Sequence, residues 1–143
     1  MSYMLCVCKS LIKVDLSSFK TQNVTNMECM FSSWYNLIEV DVSSFNTENV
    51  TDMGDIFYLS KSLIKEGLSS FNTQNEKNRS NIFYYSKSLI TVDLLSFNTQ
   101  IVTIMNCMCS LNKSLNKIKR KKINKTKIWR KKLISFKLTI IEV

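Results

Sequence analysis

The side chains best suited by type and spacing to do chemistry are the five cysteines. Cys6-x-Cys8 and Cys107-x-Cys109 have the spacing of thiolate pairs that could hold a soft metal or exchange disulfides, and Cys29 stands alone. Each pair lies in an apolar run, LCVC and CMC, where a cysteine packs as a small hydrophobe, and that is the default expectation. Cys29 and Cys107 hold the same repeat position three units apart, roughly 14 Å at the strand spacing, which is too far for a bond. The chain has no histidine, so the commonest general base and metal ligand is missing. No nucleophile-base pair or phosphate loop is present either. The expectation is a protein without catalysis, cofactor, metal or small-molecule substrate.

Charged side chains provide two further candidate sites. Asp15, Asp41 and Asp93 recur at one position, interrupted by Gly67, and beside them run Lys13, Glu39, Lys65 and Thr91, with signs that attract across neighbouring strands. These seven residues read either as a polar strip that recognises a protein partner or as solvated side chains bonded into turns with the serines that follow. The second candidate is the basic run containing Lys119, Arg120, Lys121, Lys122, Arg130, Lys131 and Lys132, with Trp129 inside it. It could contact nucleic acid or an anionic membrane through phosphates, or be a solvated extension with no partner. The formal charge of +9 resides there: residues 1–116 hold nine basic and ten acidic residues, whereas residues 117–143 hold eleven basic residues and only Glu142.

These residues are positioned by a repeat. Leu11, Leu37, Leu63, Leu89 and Leu115 are spaced by 26 residues, and LIEVDVSSFNTENVTDMGDIFYLSKS (37–62) is the best-preserved unit. Residues 1–10 align with 27–36 and form a partial repeat, as expected of a fragment of a longer array or of an unprotected N-terminal end. Four tandem repeats follow within 11–115 (11–36, 37–62, 63–88 and 89–114), then a Lys/Ile-rich tail over 116–143. In LIKVDLSSF the alternation of Val14 and Leu16 with Lys13 and Asp15 predicts a short half-buried strand. In NVTNMECMF, Val24, Met27, Met30 and Phe31 are spaced by three and four, which predicts a short helix with Asn23, or Asn49 in the next unit, as its N-cap. Like residues should ladder from unit to unit, as in Phe19/Phe45/Phe71/Phe97 and Phe31/Phe57/Phe83. The third unit departs most, with Glu66, Gly67, Glu76 and Arg79 at positions otherwise held by Val, Asp, Val and Met. Such polar replacements predict a loosened rung, relieved in part if Glu76 and Arg79 pair across three residues.

No secretory signal opens the chain, and no apolar run reaches the roughly 18 residues of a membrane span. Five Asn-x-Ser/Thr sequons carry little weight in a chain so rich in these residues.

The unit V-D-L-S-S-F, then T-x-N-V-T, then M-x-x-M/I-F resembles the repeat of BspA-like leucine-rich-repeat surface proteins over about residues 1–115. Leu11-x-x-Val14-x-Leu16 also fits the wider leucine-rich-repeat pattern. The fold expected is therefore α/β: a leucine-rich-repeat solenoid of 26-residue strand-plus-short-helix units with a parallel sheet, followed by an irregular basic tail. The resemblance implies a non-catalytic protein-protein interaction or adhesion module at the cell surface or outside the cell. The alternative is polyanion binding through the tail, with the repeats as scaffold.

Overall fold

The structure is a computed structural model that describes residues 1–98, 104, 106–121 and 139–142. Each 26-residue unit forms one rung, and successive rungs lie parallel, joined by backbone hydrogen bonds between residues 25 to 27 apart. Regular secondary structure is sparse. Three strands, β1 (Thr91–Leu94), β2 (Lys117–Arg120) and β3 (Thr139–Glu142), form one parallel sheet in that order. Val92 pairs with Ile118 and Ile118 with Ile140. The earlier rungs contribute isolated bridges, Glu39 to Lys65 and the column Asn26, Asp52, Asn78 and Ile104. One 3₁₀ turn, Leu68–Ser70, is the only helical element among the described residues.

This overturns the expected strand-plus-helix unit. In the segment read as helix, the backbone enters the left-handed region at two positions four residues apart. Cys29 and Ser33 do so in the first full rung, Asp55 and Leu59 in the second, Asn81 and Tyr85 in the third, and Cys107 and Leu111 in the fourth. Tyr3 and Val7 do the same in the partial rung. A right-handed helix cannot contain such residues, and each non-glycine there costs about 1 kcal/mol or more. The segment is instead a succession of tight turns, closed by bonds such as Met30 N–H to the Met27 carbonyl (3.2 Å) and Ser60 N–H to the Phe57 carbonyl (3.2 Å).

Amides that a helix would use internally are directed to the next rung. Those of Cys29, Phe31 and Ser33 donate to the carbonyls of Gly54, Ile56 and Tyr58 at 3.1, 2.9 and 2.7 Å, and those of Asp55, Phe57 and Leu59 donate to Ser80, Ile82 and Tyr84. These bonds, each contributing about 1 kcal/mol net, offset the left-handed strain. Asn23 and Asn49 therefore cap no helix. The Asn49 side chain donates to the Gln22 carbonyl one rung back, as Asn75 does to Glu48.

The irregular tail is corrected at both ends that the structure describes. Lys117–Arg120 continues the sheet one repeat length beyond Thr91–Leu94, and Thr139–Glu142 adds the third strand.

The core is a set of columns. Leu37, Leu63 and Leu89 are fully buried, as are Phe31, Phe57 and Phe83, whose rings stack at 5.3 and 5.7 Å. Phe45 and Phe71 stack at 6.4 Å, and Phe19 lies 6.3 Å from Phe45. Of the residues spaced by three and four in the first full rung, Met27, Met30 and Phe31 are buried, as is Trp34, and Val24 is half-buried against the core.

Polar repeat residues bond the turns. Asn46 and Asn72 each accept from the amide two residues on, as do Asn26, Asp52 and Asn78. The Thr21 hydroxyl donates to the Asn46 carbonyl and accepts from the Asn46 amide.

The third rung keeps its place in the stack. Gly67 lies in the left-handed region at φ 66°, where an added Cβ would stand 2.7 Å from the Val40 carbonyl oxygen. Glu66 is buried and accepts from the Asp93 amide at 2.9 Å. Glu76 and Arg79 are fully buried and bonded to each other. Glu66, Glu76 and Arg79 thus each have a partner, the last two through the pairing that their spacing suggests.

Candidate functional site

The sheet-side segment of each rung begins with a buried leucine, after which the chain turns and exposes the next residue. Leu37 is fully buried whereas Ile38 is 48% exposed, and the same step puts Ile12, Ile64 and Ile90 on the surface at 64%, 44% and 44%. These four isoleucines hold one repeat position and form an apolar ladder. Period-two alternation with Val40 and Val42 places Ile38 inside, which is why the ladder is not evident from the sequence. The useful signal is recurrence of Ile at one repeat position directly after a leucine already assigned to the core.

Beside the ladder run the charged residues singled out in the sequence. Lys13, Glu39, Lys65 and Thr91 are exposed, and Lys65 Nζ lies 3.0 Å from Glu39 Oε1. Both members of that pair are more than half exposed, so it is screened and weak. Asp15, Asp41 and Asp93 accept through Oδ1 from the amide two residues on, at 2.9, 2.9 and 3.0 Å. Hydrogen bonds from the Ser17 and Ser43 side chains, together with those from their amides, hold the Asp15 and Asp41 carboxyls below the usual carboxylate range. Asp93 also faces Lys119 Nζ, 3.6 Å from its Oδ2. One carboxylate oxygen of each aspartate is therefore occupied by the turn.

An open groove of about 450 Å³ lies between the first two full rungs on this face, lined by Ile12, Lys13, Val14, Ile38, Glu39 and Asp41. A second, of about 320 Å³, adjoins it at Leu16, Ser17, Ser43 and Ser44. The grooves have a backbone cause: no backbone hydrogen bond joins residues 11–16 to 37–42, whereas Ile64 N–H does reach the Ile38 carbonyl, at 2.9 Å, in the next pair of rungs.

Of the basic residues assigned to polyanion binding, Lys119 and Arg120 are half-buried in β2, Lys119 facing Asp93, and Lys121 is exposed. Lys122, Arg130, Lys131 and Lys132 lie outside the described residues, as does Trp129.

All five cysteines are free. Cys109 is buried among apolar groups, which pushes its thiol up to about 12. Cys29 is half-buried beside Glu28 and Asp55, and the potential ligand atoms of the three lie within 4.8 Å of one another. Burial pushes the Cys29 thiol up to about 11, so at neutral pH and without a metal it is a protonated neighbour of Tyr3. No helix of the described residues is long and apolar enough to cross a membrane.

No curated protein and no solved structure matches the chain. A family model does match it over residues 1–127, and the BspA-like assignment is finer than that match. The chain belongs to the family described as Mycoplasma protein of unknown function, DUF285.

Proposed function

We propose that the chain is a non-catalytic protein-interaction module, with the adhesion role of the BspA-like surface type as its setting, and that its sheet-side face receives the partner. The observation that carries this reading is the exposed ladder Ile12, Ile38, Ile64 and Ile90, flanked by Lys13, Glu39, Lys65 and Thr91 and backed by Asp15, Asp41 and Asp93. A contiguous apolar stripe with a polar rim has the composition of a protein interface. The two lysines among these residues face four carboxylates, so the face leans acidic and suits a partner that offers aliphatic side chains beside basic ones.

The test is saturable adsorption of the full chain to immobilised extracellular-matrix proteins, comparing wild type with I38E/I64E. Both positions are exposed, so the fold should persist, as an unchanged thermal midpoint would verify. The expected result is loss of about tenfold or more in affinity, since two central contacts of about 1 kcal/mol or more each are removed. Adsorption unaffected by the double substitution would refute the assignment of this face.

Polyanion binding through the tail is the second proposal, supported by the basic run itself and by exposed Lys121. Neutralising Arg130, Lys131 and Lys132 tests it better than deleting residues 117–143, because deletion would also remove β2 and β3 from the sheet.

A further inference from the structure

We propose that a ladder of lysines and tyrosines along the turn-rich edge of the stack binds an extended polysaccharide carrying sulfate or carboxylate groups. The ladder comes from one repeat position, occupied by Lys9, Tyr35, Lys61, Lys87 and Lys113. The segments that present it, 4–11, 30–37, 56–63, 82–89 and 107–115, contain no Asp or Glu. Among the described residues, the salt bridges join other groups and none involves these lysines.

Contacts show that the residues form one surface. Lys61 Nζ lies 4.6 Å from the Tyr35 ring centre and 5.8 Å from that of Tyr85, and Lys87 Nζ lies 4.3 Å from Tyr85. Tyr58 and Tyr84 stack at 5.3 Å, and Tyr84 meets Tyr85 at 6.5 Å. The Tyr85 phenol is shifted down by its hydrogen bond to Lys87 and by the charges of Lys87, Lys61 and Lys113, so these ammoniums act together at one place.

The chemistry of the partner follows from what this edge leaves available. Tyr35, Tyr58, Tyr84 and Tyr85 each have a ring already engaged by an ammonium or by another tyrosine, which leaves less platform for stacked nucleic-acid bases. The amides of Phe57 and Leu59 are already bonded to the next rung, so a peptide strand finds no row of donors to extend. What remains is a row of ammonium and phenol donors repeating about every 4.8 Å. A linear chain that carries anions and hydroxyls at regular intervals, and no bases, matches it. This edge is distinct from the isoleucine face, and the proposal does not depend on that face having a partner.

The experiment measures binding of the full chain to dextran sulfate, unmodified dextran and a thymidine homopolymer at several salt concentrations. Wild type is compared with K61Q/K87Q/K113Q, with K13Q/K65Q on the other face, and with R130Q/K131Q/K132Q in the tail. The expected result is binding to dextran sulfate that weakens with salt, falls by about tenfold or more in the first variant, changes by less than about twofold in K13Q/K65Q, and falls less in the tail variant than in the first. Unmodified dextran should not bind. Retention of affinity by K61Q/K87Q/K113Q overturns the proposal, as does an equal loss in the tail variant. Binding of the thymidine homopolymer by the tail variant as tight as its binding of dextran sulfate would identify a nucleic-acid surface on this edge instead and also overturn it.

Discussion

Replacing Glu76 and Arg79 with the residues that the second rung carries at the same positions, Val50 and Met53, tests the energetics of the stack most directly. Both side chains are fully buried and bonded to each other. Arg79 Nη2 also donates to the Thr73 carbonyl at 3.3 Å, and the guanidinium lies 4.9 Å from the Phe97 ring centre. Glu76 Oε1 and Arg79 Nη1 are buried without a hydrogen-bond partner. A buried ion pair with orphaned atoms is a poor use of core volume, and apolar replacement of such a pair is neutral or stabilising by about 1–4 kcal/mol. The double variant E76V/R79M should therefore be at least as stable as wild type. Each single variant should lose about 3–5 kcal/mol at pH 8, because the remaining charge is buried alone.

The two singles should differ in pH dependence. Burial already pushes the Glu76 carboxyl up to about 7 despite the opposing pull of Arg79. In R79M that pull is gone, the carboxyl protonates more readily, and the cost at pH 5 should shrink to the about 1–3 kcal/mol of an unsatisfied neutral group. In E76V the guanidinium cannot shed its proton, and the cost should persist at pH 5. Urea unfolding at pH 5 and pH 8, read as midpoint shifts at constant slope, measures all four proteins. Single variants within about 0.5 kcal/mol of wild type at both pH values would refute the reasoning.

Wild-type stability should also fall as pH rises from 4.5 towards about 7. The folded chain holds a proton on Glu76 that the unfolded chain has released, and Glu66, likewise raised by burial, acts in the same direction. The urea midpoint should be higher at pH 5 than at pH 8, and this slope should be reduced in E76V. Gly67→Ala should destabilise by about 1–3 kcal/mol, since the residue is left-handed and its Cβ would press on the Val40 carbonyl oxygen; a thermal melt would show this. Leu111→Gly should lower the melting temperature less than Leu111→Ala, because residue 111 adopts φ 61°, which strains any side chain and leaves glycine free. The opposite order would argue against strain at that position.

The 26-residue period and the aromatic columns were legible because identical residues at identical offsets can only be explained by stacking neighbours. The turn segment was misread for a specific reason. Spacing by three and four records which side chains face inward, and Met27, Met30, Phe31 and Trp34 do face inward, but it does not record how the backbone brings them there. Cys29, Leu59 and Tyr85 give no hint of a left-handed conformation, since only Asn81 and Asp55 among the full-rung positions belong to the types that tolerate it well. At the candidate face, the aspartate column was visible and its bonding to the following residues was among the alternatives considered. The isoleucine ladder was hidden by the expectation of strict alternation through Val40 and Val42. Pairing of Glu76 with Arg79 followed from their separation, whereas the reach of Glu66 to the Asp93 amide depends on a neighbouring rung and has no local signature.

Among the described residues, the backbone hydrogen bonds between rungs span 25 to 27 residues. Folding therefore closes a loop of nearly the same length at each step, and the entropic toll of adding a rung does not grow with the number already formed. Assembly can begin at any well-matched pair of rungs and spread in both directions, as in other linear arrays. The same arithmetic governs change over time. Gain or loss of a whole 26-residue unit leaves every remaining bond in register, whereas a single inserted residue shifts both left-handed positions of its rung against those above and below. Length variants of this chain should accordingly differ by multiples of the repeat.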